Sequence, residues 1–212
     1  MNRAKKSTLP ALCMCQSGKK YTACCSKILK DPQNPHFAKA IASVPVTECF
    51  LTDTLDTGLI DIFVVRTLPN KKLALGMYLV DFLCLGVKNA HIEIGVTEDA
   101  VEEQKMLMDM LGSPIASIEY EELRSLVLGS VAYAAQFGFK PHPDFSTAQY
   151  FIEPSRPFEN SYTFGEEGKP LYISGPSDDD LECDREMVER VVIAAGGRVV
   201  HPSPEELDEE TD

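Results

Sequence analysis

Four thiols fall within thirteen residues, in the run Cys13-Met14-Cys15-Gln16-Ser17-Gly18-Lys19-Lys20-Tyr21-Thr22-Ala23-Cys24-Cys25. Thiolate sulfur is a soft metal ligand, and two pairs separated by a short turn can converge on one tetrahedral ion at about 2.3 Å per bond. A segment this small buries no core of its own, so the ion would have to hold its shape. The other readings of the same residues are free thiols and disulfides. Free cysteines behave as small buried hydrophobes and do not usually cluster in a polar, lysine-rich turn. Disulfides need an oxidising compartment, and the first dozen residues carry Arg3, Lys5 and Lys6 without the apolar stretch of a secretion signal. The expected cofactor is Zn2+, with Cys13, Cys15, Cys24 and Cys25 as ligands. Cys49 and Cys84 lie in apolar runs and are expected to be buried, and Cys183 stands apart.

The spacing C-x-C-x8-C-C with Ser17-Gly18-Lys19-Lys20-Tyr21 inside it resembles the SEC-C motif, the knuckle that closes the SecA protein-export motor and recurs in bacterial-type proteins. The resemblance spans residues 11 to 27. Gln16 departs from the glycine usual before the serine. The resemblance implies a zinc-bound docking element rather than a catalytic centre, with Lys19, Lys20 and Tyr21 as the partner-facing loop and a protein, a ribosome or RNA as the partner.

Beyond the knuckle, Asp81 interrupts the apolar run Met77 to Val87. A carboxylate among apolar neighbours needs a partner or a metal, because desolvation disfavours its charge. His91 and Glu93 follow it, and His142 and Asp144 lie at Pro141-His142-Pro143-Asp144. Were Asp81, His91, Glu93, His142 and Asp144 to converge, they could hold a divalent cation for a metal-dependent hydrolase or nuclease, with the knuckle delivering substrate. The competing reading makes Asp81 an edge carboxylate and His142 part of a helix-entry turn. Gly175 to Asp180 lacks the ligand alternation of a calcium loop, and no phosphate-binding glycine loop, nucleophile elbow or H-E-x-x-H is present.

Charge divides the chain. Residues 1 to 30 hold seven basic residues and no acid, while the rest holds thirteen basic and 33 acidic residues, within a net charge of −13. Four thiolates and one Zn2+ would lower the basic end by about two charges. A basic knob on an acidic body suits an acidic partner surface or RNA phosphates at the knob alone, or the chain's own acidic body. Glu205 to Asp212 reads as a solvated acidic tail.

The elements that must position these residues follow from periodicity. Helix is expected from His36 to Ser43, strand from Val46 to Leu51 and Leu59 to Leu68, and one long strand from Leu73 to Val87 across the turn Pro69-Asn70-Lys71-Lys72. Thr97 caps a helix with Val101, Met108 and Leu111 on one side, and Gly112 and Pro114 stop it. Further helices are expected from Tyr120 to Phe137 and Asp144 to Phe151, followed by strand near Leu171, helix from Asp184 to Ala195 and strand from Arg198. The fold class is α+β: a knuckle at 1–30, a linker and short helix at 31–43, a body with an antiparallel sheet packed by helices at 44–202, and the tail at 203–212. No run approaches the ~18 apolar residues of a membrane span, so a cytoplasmic protein without a membrane partner is expected. The expected function is that of a zinc-binding adaptor.

Overall fold

A computed structural model describes residues 12–52, 54, 57–174 and 185–201. The acidic segment from Gly175 to Asp180, Cys183 and the expected acidic tail lie outside the described residues. Strands β1 (Val46–Thr52), β2 (Leu59–Thr67), β3 (Leu73–Asp81), β4 (Gly86–Val96) and β5 (Ile115–Ser117) form one antiparallel sheet in the order β4-β3-β2-β1-β5. The expectation of a mixed α and β body around an antiparallel sheet is met.

Alternation along the strands sorts side chains onto two faces. On one face Ile60, Ile62 and Val64 of β2 and Tyr78 and Val80 of β3 meet Leu123, Leu126 and Val127 of α4 (Tyr120–Ala135). Phe145 and Ala148 of α5 (Phe145–Ala148) and Ile152 extend that core, and the Tyr78 hydroxyl donates to the Ala148 carbonyl at 2.8 Å. The other face presents Phe50, Phe63, Val65 and Leu75 to α3 (Glu98–Met110), with the Phe50 and Phe63 rings stacked at 4.5 Å. As expected, Thr97 caps α3, its hydroxyl accepting from the Ala100 N–H at 3.2 Å. Leu111 does not join the buried side: it follows the last helical turn and is 70% exposed.

The single strand expected from Leu73 to Val87 is two strands. Asp81 ends β3 by turning its carboxylate onto the chain ahead, where Oδ1 accepts from the N–H groups of Leu83 and Cys84, both at 2.9 Å. Gly86 then restarts the chain at φ +73° as β4. A Cβ there would lie 3.0 Å from the Ser130 carbonyl oxygen, so both the backbone conformation and the closeness of α4 call for glycine. Hydrophobicity alone does not betray the turn, since Phe82, Leu83, Cys84 and Leu85 are apolar and Cys84 and Leu85 are buried.

After α4 the chain forms β6 (Leu171–Ile173), α6 (Arg185–Ala194) and β7 (Arg198–Val200), with β6 and β7 paired in parallel. Tyr172, Val188 and Val192 pack this unit against Cys84, Leu85, Ala134 and Phe139. No helix among the described residues is long and apolar enough to cross a membrane.

Candidate metal centre

The thiol run folds as a miniature hairpin followed by helix. Leu12 and Lys20 form an antiparallel bridge, and the Cys13 N–H donates to the Lys19 carbonyl at 2.8 Å. The turn between them takes left-handed backbone at Gln16, φ +60°, and at Gly18, φ +70°. A 3-10 turn from Tyr21 to Ala23 leads into α1 (Cys25–Ile28), which sets Cys24 and Cys25 back against the hairpin.

The four sulfur atoms of Cys13, Cys15, Cys24 and Cys25 all lie within 4.8 Å of one another. Cys15 Sγ is 3.3 Å from Cys13 Sγ and 3.5 Å from Cys24 Sγ. Four sulfurs about 2.3 Å from a tetrahedral ion stand about 3.8 Å apart, so the quartet fits such an ion with small adjustments. The Ser17 hydroxyl lies 3.3 Å from Cys24 Sγ, and beside the ligands it can donate to thiolate. Without an ion the sulfurs differ. The Ser17 hydroxyl first, and the Cys13 thiol next, lower the Cys15 pKa to about 6. Burial pushes the Cys25 thiol up, and the adjoining Cys13 and Cys15 sulfurs add to the effect. A divalent cation held by Cys13, Cys15, Cys24 and Cys25 would supply the charge that lets all four ionise together.

The knuckle is seated on the sheet. Tyr21, Cys25 and Leu29 share an apolar cluster with Phe37, Ala40 and Ile41 of α2 (Phe37–Ala42) and with Ala74 and Phe151 of the body. Ile92 and Ile94 of β4 pack against the same cluster. The segment between knuckle and α2 is a succession of turns in which the Asp31 and Asn34 side chains accept from the N–H groups of Gln33 and His36. Lys19 and Lys20 are exposed. Tyr21 differs from them: only 5% of it is accessible, so its ring packs inward and the exposed part of the expected docking loop is the lysine pair.

The five body residues do not assemble. Asp81 is occupied with its turn, and burial pushes its carboxyl up to about 6 against the pull of the Cys84, Leu85 and Leu83 N–H groups and of Lys88. His91 and Glu93 lie in β4, opposite Met77 and Leu75, exposed and 3.7 Å apart as a neighbouring pair. His142 Nδ1 accepts from the Asp144 N–H at 3.3 Å in a local turn, and the His142 N–H donates to the Val87 carbonyl at 2.9 Å, tying that turn to β4. Among the described residues, the cysteine quartet is the one set of three or more His, Cys, Asp or Glu side chains placed to share an ion. A pocket of about 330 Å³, lined by Glu166, Glu167, Lys169, Gly197 and Arg198 among others, contains none of the five.

Sequence reasoning missed two arginines. Arg66 is 1% exposed: its guanidinium donates to the carbonyls of Ile41, Val44 and Phe151, to the Tyr120 hydroxyl and to Glu153 Oε1 at 3.0 Å. Arg124, fully buried, donates to the carbonyls of Ile152, Glu153, Arg156 and Pro157 and pairs with Glu121 at 2.8 Å. Five fixed donors suit a guanidinium to collecting carbonyls from chain that has left regular structure. In the sequence the only hint is placement: Arg66 falls in phase with Ile60, Ile62 and Val64. Because Arg66 binds the end of α2 as well as Phe151, it fixes the knuckle's seat.

No protein-family model matches the chain, and neither a curated protein nor a solved structure does. What the geometry carries by itself is a cluster of four cysteines able to bind a metal ion.

Proposed function

We propose that the protein is a zinc-binding adaptor whose knuckle docks onto an acidic partner surface through Lys19 and Lys20. The carrying observation is the quartet of sulfurs within 4.8 Å of one another, in a hairpin whose exposed Lys19 accepts the Cys13 N–H at its carbonyl. Four cysteine sulfurs with no position left for water make a structural rather than a catalytic zinc site. The similarity of residues 11 to 27 to the SEC-C motif supports docking as the purpose of that structure. The partner is a protein, a ribosome or RNA. The acidic remainder of the chain repels a polyanion, which confines such contact to the knuckle.

The test is elemental analysis of tag-free protein followed by affinity capture with and without nuclease. One zinc per chain is expected, with partner capture lost on Lys19→Glu with Lys20→Glu while zinc is retained. Capture sensitive to nuclease assigns RNA, and capture resistant to it assigns protein. Absence of bound metal together with four freely titrating thiols rejects the reading, as does capture indifferent to the lysine reversal.

A further inference from the structure

Helix α3 is apolar on the wrong side. Toward the sheet it buries Val101, with Met108 partly covered and Lys105 Nζ lying 4.8 Å above the Phe50 ring. Toward solvent it displays Met106 at 64%, Leu107 at 49% and Met110 at 81% exposure, and Leu111 adds 70% just beyond its end. Single exposed apolar residues are ordinary on a protein surface. Here two pairs spaced four apart, 106 with 110 and 107 with 111, lie side by side and make a continuous ridge.

The rim of that ridge has one sign. Glu98, Asp99, Glu102, Glu103 and Asp109 are exposed along α3. Lys105, the helix's one base, is held by Glu48 Oε1 at 2.5 Å and Glu102 Oε1 at 2.9 Å. We infer that this ridge receives a basic amphipathic helix of another protein, apolar on one face and lysine- or arginine-rich on its flanks. Helix ridges accept a second helix with apolar anchors at i, i+3, i+4 and i+7, and unbranched methionine adapts to varied anchors. The excess of carboxylates over the single base Lys105 chooses the sign of the flanks. A second copy of α3 would bring the same acids and no counter-charge.

This surface is separate from the knuckle. Ala74 packs with the knuckle cluster and Leu75 with α3, and neighbouring residues of a strand point to opposite faces. The adaptor therefore carries two docking surfaces on opposite sides of one sheet, and this one needs no metal.

The probe is a fluorescently labelled peptide of about five helical turns with leucine on one face and lysine elsewhere, titrated into the zinc-loaded full chain. Its controls are a scrambled sequence of the same composition and a version with glutamate replacing lysine. Saturable binding is expected for the first peptide alone. It should weaken at least about tenfold in Met106→Glu with Met110→Glu and in Leu111→Ser, and stay unchanged in Lys19→Glu with Lys20→Glu. These α3 positions are exposed, and circular dichroism verifies that the variants keep their fold. Equal binding of the scrambled peptide, or binding indifferent to both α3 variants, overturns the inference. So does sedimentation showing a dimer of the unmodified chain that dissolves in the α3 variants, which would assign the ridge to a second copy.

Discussion

At Asp81 one carboxylate both ends a strand and holds the next turn, and burial sets its pKa at about 6. Below about pH 4 folded and unfolded chains both hold that proton. Between there and about pH 6 the folded chain keeps it while the unfolded chain has lost it, so stability falls as pH rises through this window and then levels. Asp81→Asn keeps an acceptor oxygen but does not ionise. It should remove that part of the slope in denaturant midpoints measured from pH 4 to 7. Asp81→Ala should instead cost about 1–3 kcal/mol at every pH, because two turn N–H groups lose their acceptor. An Asp81→Asn curve parallel to that of the unmodified protein would show that the carboxyl does not titrate this way. Gly18 is the corresponding residue in the knuckle. Nothing lies within 4 Å of its would-be Cβ, so Gly18→Ala meets only the conformational penalty of φ +70°. That penalty of about 1 kcal/mol should weaken binding of the proposed metal roughly fivefold in a chelator competition.

Among the elements, the amphipathic ones were legible in the sequence and those built by side-chain wiring were not. Val46 to Leu51, Leu59 to Leu68 and Tyr120 to Phe137 announce themselves through β-branched runs or a 3.6-residue period, and the structure places β1, β2 and α4 there. The cysteine quartet was legible because ligand type and spacing are local properties. The β3–β4 turn was hidden because its signal is one polar side chain reaching back over apolar residues. Arg66 and Arg124 were hidden because their partners lie far along the chain, at Phe151 and Ile152 to Pro157. Removing Arg66 leaves Glu153 only Tyr120 and Arg156 and takes a donor from the carbonyls of Ile41, Val44 and Phe151. Arg66→Ala should therefore destabilise the protein by about 3–5 kcal/mol, read as a shift in urea midpoint. Gly76→Ala tests the same corner sterically, since its new methyl carbon would sit 2.9 Å from the Phe151 ring. An overpacking cost of about 1–3 kcal/mol is expected in the same measurement.

For the molecule as a whole, the knuckle and the sheet share apolar surface, so the binding energy of a metal held by the quartet would be coupled to the body. Tyr21, Cys25 and Leu29 are buried in one cluster with Ala74 and Phe151, so an ion that fixes the thiols would also fix this contact. Chelation should lower the melting temperature of the full chain and speed amide hydrogen exchange at Ile92 and Ile94, leaving the Phe63 to Leu75 face under α3 unchanged. Uniform acceleration on both faces would mean that the ion stabilises the chain without regard to where the knuckle sits.

Strands β1 to β4 are neighbours in space in the order in which they are synthesised. Such a meander closes through short local loops and can pair early, long before residues 120–152 emerge to cover its apolar side. For that interval the segment already made at the amino terminus is the available cover for Ala74, Ile92 and Ile94. On the proposed reading, a chain starved of metal during translation would then expose greasy surface on the nascent sheet, and should partition into inclusion bodies even where the finished, later-chelated protein stays in solution.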